Sequence, residues 1–368
     1  QVAGQFPSVW KRCYEHDDGQ KSWRDTRTFY MIWWSAQDRI KDFLQEELRQ
    51  GVDLIVSVHP LINHLIVEAL ECLGKRRCVQ VATVVTDLGS AHLSWFEPRV
   101  DILFVPSKTI SELAIQYGFE RERIVLCGLP VRQGFWEVDH RPKADVRQVL
   151  ELTPEREVVL VMGGGEGFGA VFDIATAVGV LMASENVGQL VVVCGRNEEL
   201  RKKLQEYDWP MHTRSQHIIE PIVLGFVSNI DEYMGAADCL VTKAGPGTIA
   251  EAMIKELPCI LTSFVPGQEE GNVTLVTEAG AAEYVSDMDP SKVASLVVDL
   301  LKDEEKRRAM SLKARTLAKP RASLEIARRL GDSLLNLGVE LQPRLVAAKT
   351  ATDLSSRTVA SDFLASAG

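Results

Sequence analysis

The sequence predicts an α/β protein with two domains, each built around a parallel sheet. Short apolar runs with the length of buried strands alternate with helical stretches along most of the chain, which is the pattern of strands joined by crossover helices. A segment rich in Gly and Pro, Gly128–Phe135, interrupts this alternation. A chain of 368 residues is also long for a single hydrophobic core. We therefore expect a domain boundary at that segment.

Each predicted strand is a short apolar run bounded by polar or turn-forming residues. In the first domain, residues 1–131, strands are expected near 53–58, 79–86, 102–106 and 124–127. In the second domain, residues 132–330, they are expected near 158–162, 189–194, 222–225, 238–241, 259–262 and 283–285. Residues 303–330 have the composition of a charged helical region, and the Ser/Thr/Ala-rich residues 331–368 are expected to form a disordered tail.

The composition, with 46% apolar and 25% charged residues, is that of a globular protein. No apolar run approaches the roughly 18 uncharged residues that a membrane-spanning helix needs. The formal net charge of −10 argues against a nucleic-acid partner. The seven cysteines are scattered without CxxC spacing, and no metal-ligand cluster is evident. We therefore expect no bound metal.

The segment Thr242–Met253, with the sequence TKAGPGTIAEAM, follows the apolar run Asp238–Val241. Pro246 stands where the first turn of a helix should begin. Gly245 and Gly247 lack the side chains that would block the approach of a ligand. A turn of this kind leaves backbone N–H groups free at the positive end of a helix, where two phosphates fit. The alternative interpretation is an ordinary tight turn between a strand and a helix.

Two further side chains favour the ligand-binding interpretation of this turn. Thr248 adds a hydroxyl donor at the beginning of the helix. Glu251 lies one turn further along and is placed to accept hydrogen bonds from the two hydroxyls of a ribose.

A second glycine-rich loop, residues 163–170, follows the apolar run Val158–Met162 and again opens a helix. Gly165, Gly167 and Ala170 match the G-x-G-x-x-G/A fingerprint of dinucleotide-binding domains. That fingerprint also needs an acidic residue at the end of the next strand to hold a ribose. A second phosphate-type loop about 80 residues later is foreign to dinucleotide domains.

The strand that follows this loop ends instead in Gly195-Arg196-Asn197. Its arginine would suit a 2′-phosphate, which leaves an NADP-dependent oxidoreductase as an open alternative. Two anion-binding loops in one domain fit a nucleotide-sugar pocket better.

Nine stretches of the sequence match the motifs of a known family: Ser57–Leu61, Thr83–Leu88, Trp95-Phe96, Gly128–Arg132, Met162–Gly169, Cys194–Asn197, Met234–Cys239, Thr242–Met253 and Gly267–Val273. In these stretches the chain resembles glycosyltransferase family 28, in particular its galactolipid-forming branch, the plant-type monogalactosyldiacylglycerol synthases. The stretches lie in the family's order and span roughly residues 50–320. The resemblance implies the GT-B fold, in which two Rossmann-like domains face each other across a cleft.

The resemblance also implies an activity, the transfer of galactose from UDP-galactose to the free hydroxyl of diacylglycerol with inversion at the anomeric carbon. It implies no bound cofactor, with UDP-galactose serving as the donor substrate. It further implies a peripheral position on a plastid envelope membrane, although the sequence shows no targeting segment.

The resemblance places the donor in the second domain, where both glycine-rich loops lie. Glu251 would hold the ribose, Gly245, Gly247 and Thr248 the diphosphate, and Gln268, Glu269 and Asn272 the sugar hydroxyls. Gly225, Phe226 and Val227 resemble the turn that flanks the uracil. The matched stretches add Gly164, Gly165, Glu166, Gly167, Arg196, Asn197 and Lys243 to the expected donor site. For Gln268–Asn272 the competing interpretation is a solvated loop, and for Arg196 a surface residue.

The acceptor side departs from the family, whose members begin with a strand and a glycine-rich loop that ends in a His, the usual candidate for the general base. This sequence is expected to begin downstream of that loop, which leaves the first domain incomplete. His59, at the end of a predicted strand, is the remaining His best placed for a catalytic role, against the alternative that it is structural. Asp87, at the end of the next strand, would orient a His or cap a turn.

Membrane contact is expected to be peripheral, with diacylglycerol and anionic lipid as partners. A stripe with helical spacing comprises Phe29, Ile32, Trp33, Ala36, Ile40, Phe43 and Leu44. Such a stripe predicts a helix face that packs on the core. The pair Trp33-Trp34, with Trp10 and Trp23 upstream, leaves an interfacial patch as the alternative.

Three functions remain open at this point. The first is the lipid galactosyltransferase, and the second is a family-28 transferase that uses another UDP-sugar or another lipid acceptor. The third is a protein that binds a UDP-sugar but is inactive because it lacks the N-terminal catalytic loop.

Overall fold

The computed structural model describes residues 22–137, 141–163, 170–210 and 221–335, and its strands form two separate sheets. Every strand pairing among these residues is parallel. The alternation of apolar runs and helical stretches therefore predicted the fold class correctly. All ten strands among the described residues lie at the positions expected from the sequence, with ends that differ by at most two residues.

The first sheet has four strands in the order β1-β2-β3-β4. They are β1 Leu54–Ser57, β2 Gln80–Val84, β3 Ile102–Val105 and β4 Ile124–Leu126. The helices of this part are α1 Arg27–Arg49, α2 Ile62–Cys72 and α3 Lys108–Gln116. Every residue of β2 is buried, the polar Gln80 and Thr83 included, as is usual for an interior strand of a parallel sheet. β1 forms one edge of the sheet.

The second sheet has six strands in the order β10-β9-β8-β5-β6-β7. They are β5 Val158–Met162, β6 Gln189–Val193, β7 Ile222–Leu224, β8 Cys239–Thr242, β9 Cys259–Leu261 and β10 Ala282–Tyr284. The accompanying helices are α4 Gln133–Trp136, α5 Lys143–Val149, α6 Val171–Glu185, α7 Glu198–Gln205, α8 Ile230–Ala236, α9 Pro246–Ile254, α10 Glu270–Glu278, α11 Pro290–Lys302 and α12 Glu304–Leu317.

A last helix, α13, covers residues 322–335 and returns to the first sheet. Its Ile326 and Leu330 pack with Val84 and Phe104 of that sheet, and Ser333 hydrogen-bonds to Gln80. The predicted tail from residue 331 is therefore corrected at its beginning, because residues 331–335 complete this amphipathic helix. The rest of that tail lies outside the described residues, and the boundary near residue 132 stays a prediction.

Candidate functional site

The strand order of the second sheet reverses at β5, since β6 and β7 lie on one side of it and β8 to β10 on the other. In an open parallel sheet, ligands bind at the carboxyl ends of the strands at such a switch point. The turn that follows β8 leaves the sheet there, and β8 pairs directly with β5. The strands that precede the two predicted phosphate loops are thus neighbours in the sheet.

The turn after β8 has the geometry of a helix N-terminus with room for an anion. α9 begins at Pro246, as predicted, and its own residues Ile249 and Met253 are buried. The N–H of Gly245 donates to the carbonyl of Lys243 at 2.8 Å, so this amide is used inside the turn. The first-turn amides of Gly247 and Thr248 precede the first intrahelical bond, which leaves them available to phosphate oxygens.

The two glycines of this turn differ in their surroundings. A Cβ on Gly245 would lie 3.1 Å from the Nζ of Lys243, whereas a Cβ on Gly247 would meet nothing within 4 Å. Lys243 itself forms an ion pair with Glu269, with 2.6 Å between Nζ and Oε1. The other carboxylate oxygen of Glu269 accepts the N–H of Val265 at 2.9 Å. Glu269 is therefore committed to holding the loop after β9 against the turn after β8.

Glu251 lies one turn into α9, and its side chain is 13% exposed. Its Oε1 accepts a hydrogen bond from Nη2 of Arg132 at 3.0 Å, in an ion pair that the sequence did not predict. Burial raises the pKa of Glu251, while Arg132 opposes the rise. The carboxylate is thus partly desolvated and faces an arginine from the segment that joins the two sheets.

Arg196 and Phe226, predicted at the donor site from different loops, come together in the structure. The guanidinium of Arg196 lies 5.4 Å from the centre of the Phe226 ring, which is 60% exposed. Gly225 and Val227 flank this ring, with Val227 packed against the core. Asn197 has a structural task, because its Oδ1 caps α7 by accepting the N–H of Leu200 at 2.9 Å.

The predicted residues Gly164, Gly165, Glu166 and Gly167 lie outside the described residues. Their roles stay predictions from the sequence.

The loop after β9 contacts the first domain. The N–H of Gly89 donates to Oδ1 of Asn272 at 2.8 Å, and the hydroxyl of Ser90 donates to the carbonyl of Gln268 at 2.8 Å. Nδ2 of Asn272 donates to the carbonyl of Ala244 at 3.0 Å. Asn272 is 1% exposed, so in this structure its carboxamide bridges the domains and does not face the cleft. Gln268, half-buried, keeps a side chain that reaches across the cleft.

The backbones of the two domains touch at a pair of glycines. A Cβ built on Gly89 would lie 2.1 Å from the carbonyl oxygen of Gly271, and one on Gly271 would lie 2.6 Å from the carbonyl oxygen of Gly89. Only glycine fits at either position without a shift of backbone. The segments that follow β2 and β9 are therefore in direct backbone contact.

A buried carboxylate lies on the first-domain side of the cleft. Asp87 follows β2, is 6% exposed, and accepts the indole N–H of Trp95 at 2.6 Å and the side-chain amide of Gln268 at 3.4 Å. Burial raises its pKa, against the hydrogen bonds from Trp95 and Gln268, and the charges of Glu269 and His59 act on it too. Asp87 therefore faces both the loop after β9 and His59.

His59 is exposed and lies just beyond β1. Its Nδ1 accepts the N–H of Leu61 at 3.2 Å. In a neutral imidazole this arrangement places the proton on Nε2, which then donates to its surroundings. In this conformation His59 suits a hydrogen-bond donor to the acceptor better than a base that takes a proton at Nε2.

The apolar stripe of α1 packs on the core as predicted over most of its length. Phe29 and Leu44 are buried, but Phe43 is 61% exposed. Trp34, on another face of α1, is 81% exposed. None of the described helices is long and apolar enough to cross a bilayer. Among the described residues no cluster of three or more His, Cys, Asp or Glu could hold a metal ion.

Two parallel sheets whose carboxyl ends face each other define a protein of the GT-B type. Solved structures of similar fold include MurG from Acinetobacter baumannii, with a TM-score of 0.54, 16% identity and coverage of 81% of this chain and 79% of that one. Another is the UDP co-structure of MnaA from S. aureus, with a TM-score of 0.58, 16% identity and coverage of 84% and 83%. At this identity the likeness shows the fold alone.

The family follows from sequence comparison. Residues 3–131 match the family model of monogalactosyldiacylglycerol (MGDG) synthase, and residues 158–326 match that of the glycosyltransferase family 28 C-terminal domain. The chain belongs to this family, as the motifs predicted.

Curated relatives agree with this placement. Monogalactosyldiacylglycerol synthase 1, chloroplastic, from Arabidopsis thaliana is 38% identical over 294 residues, which is 77% of this chain and 53% of that protein. Probable monogalactosyldiacylglycerol synthase 3, chloroplastic, from Oryza sativa subsp. japonica is 39% identical over 292 residues, which is 78% and 55%. The chain thus spans about half the length of the curated relatives it matches.

Proposed function

We propose that this protein is an inverting glycosyltransferase that moves galactose from UDP-galactose to diacylglycerol. The observation that carries the proposal is the glycine turn at the N-terminus of α9, with the partly buried carboxylate of Glu251 one turn further on. Both lie at the switch point of a parallel sheet and face a second domain, in a chain whose family is named for this synthesis.

The donor half of the proposal rests on charge and shape. The amides of Gly247 and Thr248 and the dipole of α9 would hold the diphosphate, whose negative charge grows as the bond to the sugar breaks. Glu251 would accept hydrogen bonds from the ribose. The exposed ring of Phe226, with Arg196 over one face, would lie against the uracil. No metal is needed where backbone amides already stabilise the leaving group.

The acceptor half needs a base and a positioned hydroxyl. In a single displacement the acceptor oxygen bonds to the anomeric carbon as the bond to UDP breaks, and the hydroxyl proton passes to a base. Asp87, with its raised pKa, and His59 are the titratable side chains of the first domain that interact electrostatically at this cleft. We propose that they orient the acceptor. The identity of the base stays a prediction from the sequence, which offered His59, whereas in this conformation His59 is placed to donate to the acceptor from Nε2.

The lipid acceptor would be reached from a membrane surface. Trp34, Tyr30 and Phe43 are exposed aromatic residues of α1, and such rings favour the interface between water and lipid. Relatives are named chloroplastic, which supports a peripheral position on a plastid membrane. With a net charge of −10, attraction to anionic lipid would have to be local.

A family-28 transferase with another UDP-sugar or lipid acceptor remains the second candidate, because Gln268 and Glu269 alone do not select galactose. A UDP-sugar-binding protein without transferase activity is the third. Membership of a glycosyltransferase family argues against the NADP-dependent oxidoreductase.

Ligand-dependent thermal stabilisation tests the donor class. A ligand at about 100 times its Kd stabilises the folded protein by about 2.7 kcal/mol, so UDP should raise the melting temperature. GDP, with the same diphosphate and ribose, should raise it less, and NADPH little. Stabilisation by NADPH without stabilisation by UDP would overturn the proposal. Transfer of labelled galactose to diacylglycerol in vesicles, with UDP-glucose as the competing donor, then separates the first candidate from the other two.

A further inference from the structure

Arg132 belongs to the segment that carries the chain from the first sheet to the second. β4 ends at Leu126 and α4 begins at Gln133, so Arg132 precedes the first helix of the second part. Its side chain is 55% exposed, yet Nη2 reaches Oε1 of Glu251 at 3.0 Å. This ion pair joins the crossover to the helix that carries the candidate ribose ligand.

Side chains from two other segments hold the backbone around Arg132. Ser323 of α13 accepts the N–H of Val131 at 3.0 Å and donates to its carbonyl at 2.8 Å. On the other side, Nζ of Lys255 donates to the carbonyl of Gly134 at 3.0 Å. The guanidinium of Arg132 lies 5.6 Å from the centre of the buried Phe135 ring. A side chain anchored in this way is pre-organised to meet Glu251.

The electrostatic surroundings of Glu251 explain why a cation there matters. Burial raises the pKa of Glu251, and Asp231 of α8 raises it further, while Arg132 lowers it. Lys255 ends the same helix as Glu251, but its ammonium is directed to the carbonyl of Gly134. Among the described residues, Arg132 is the cation that bonds directly to this carboxylate.

We propose that Arg132 is a positioning residue that keeps Glu251 ionised and oriented for the ribose, and that ties the donor site to the domain crossover. This inference rests on the proposed function. A carboxylate has about four lone-pair sites, so one bond from Arg132 leaves room for two ribose hydroxyls. A protonated Glu251 would lose acceptor capacity, and UDP would then bind less well.

Calorimetric titration of UDP between pH 5.5 and 8.5 tests the role of Arg132. In Arg132→Gln the cation is lost, so the pKa of Glu251 rises further. The fall of UDP affinity on acidification, the acid limb of the pH profile, should therefore move to higher pH. A rise of one pKa unit weakens binding about tenfold below the limb. Above the limb the affinity should stay within about threefold of the wild type. Arg132→Lys should restore the wild-type limb in part. The phosphates of UDP titrate in the same way whichever variant is used. A difference between the pH profiles of two variants therefore comes from the protein and reports on Glu251.

Arg141→Gln is the matched control, since Arg141 pairs with Glu232 of α8 at 2.8 Å, and its profile should equal that of the wild type. In a Glu251→Gln background, Arg132→Gln should leave the pH dependence of UDP affinity unchanged. If Glu251→Ala weakens UDP binding while Arg132→Gln and Arg132→Lys keep the wild-type profile, the inference is wrong and the donor site stands. Tighter binding of UDP by Arg132→Gln at every pH would also overturn it, because Arg132 would then compete with the ribose. Unchanged affinity in Glu251→Ala would instead remove the proposed donor site.

Discussion

Glu97 carries a negative charge inside the first domain, where only 2% of the residue is exposed. Arg99 contacts both of its carboxylate oxygens, at 2.8 and 2.7 Å, and Nδ1 of the buried His64 lies 2.8 Å from one of them. Burial alone would raise the pKa of Glu97, but the hydrogen bonds from Arg99 and His64 outweigh it and lower the pKa to about 2. This network ties α2 to the loop after β2.

The lowered pKa of Glu97 predicts acid sensitivity. A carboxyl whose pKa is lower in the folded state than in the unfolded state stabilises the fold above about pH 4.5, and the stabilisation is lost as the pH falls toward 2. The shift corresponds to about 3 kcal/mol. Glu97→Gln should therefore lower the free energy of unfolding by about that amount at pH 7 and flatten its pH dependence between 4.5 and 2.

Urea titrations at several pH values measure this effect. Glu325→Gln is the control, because Glu325 also contacts two arginines, Arg328 and Arg329, but on the surface, where solvent screens the charges. It should change stability little. Equal losses in the two variants, or an unchanged pH dependence in Glu97→Gln, would contradict the assignment.

At the scale of elements, the sequence predicted what depends on neighbours along the chain. Apolar runs located every strand, and Pro246 located the beginning of α9, because burial periodicity and helix initiation are local properties. Contacts between distant segments left no such signal. The sequence indicated Asn272 as a sugar ligand, whereas its carboxamide joins Gly89 to Ala244. Arg132 lay in a matched motif, but nothing local predicted its pairing with Glu251.

The contact between Gly89 and Gly271 leads to a prediction for these loops. In Gly89→Ala the new Cβ would overlap the carbonyl of Gly271, a backbone atom that cannot rotate away. The domains would have to separate locally, at a cost of about 1–3 kcal/mol, typical of overpacking. The free energy of unfolding should fall accordingly. UDP should also bind more weakly, because Asn272 links Gly89 to the carbonyl of Ala244 in the turn proposed to hold the diphosphate.

Gly235→Ala provides the comparison in denaturation and UDP titration. A Cβ on Gly235, within α8, meets nothing within 4 Å, and alanine favours helix over glycine by about 1 kcal/mol. This variant should be at least as stable as the wild type. A Gly89→Ala protein with wild-type stability and UDP affinity would show that the two loops separate freely.

At the scale of the whole molecule, the chain returns to the first sheet after building the second. It leaves the first sheet through the crossover at Val131, builds the second sheet, and returns in α13 to pack on the first. Gly128 adopts a φ of +98°, and a Cβ there would meet the side chain of Lys319 at 2.4 Å. The segment that leaves the first sheet and the segment that returns to it are therefore in direct contact. The two domains are therefore joined by α13 as well as by the contact between Gly89 and Gly271.

Ile326→Ala tests how far this return helix stabilises the molecule. Ile326 is 7% exposed and packs with Ala82, Val84 and Phe104 of the first sheet, so truncation leaves a cavity between α13 and that sheet. Buried Ile→Ala changes cost about 2–5 kcal/mol, and the loss here should lie in that range. Leu324→Ala, on the same helix but 41% exposed, should change stability by less than about 0.5 kcal/mol. Chemical denaturation followed by tryptophan fluorescence measures both, and equal losses in the two variants would show that α13 does not hold the domains together.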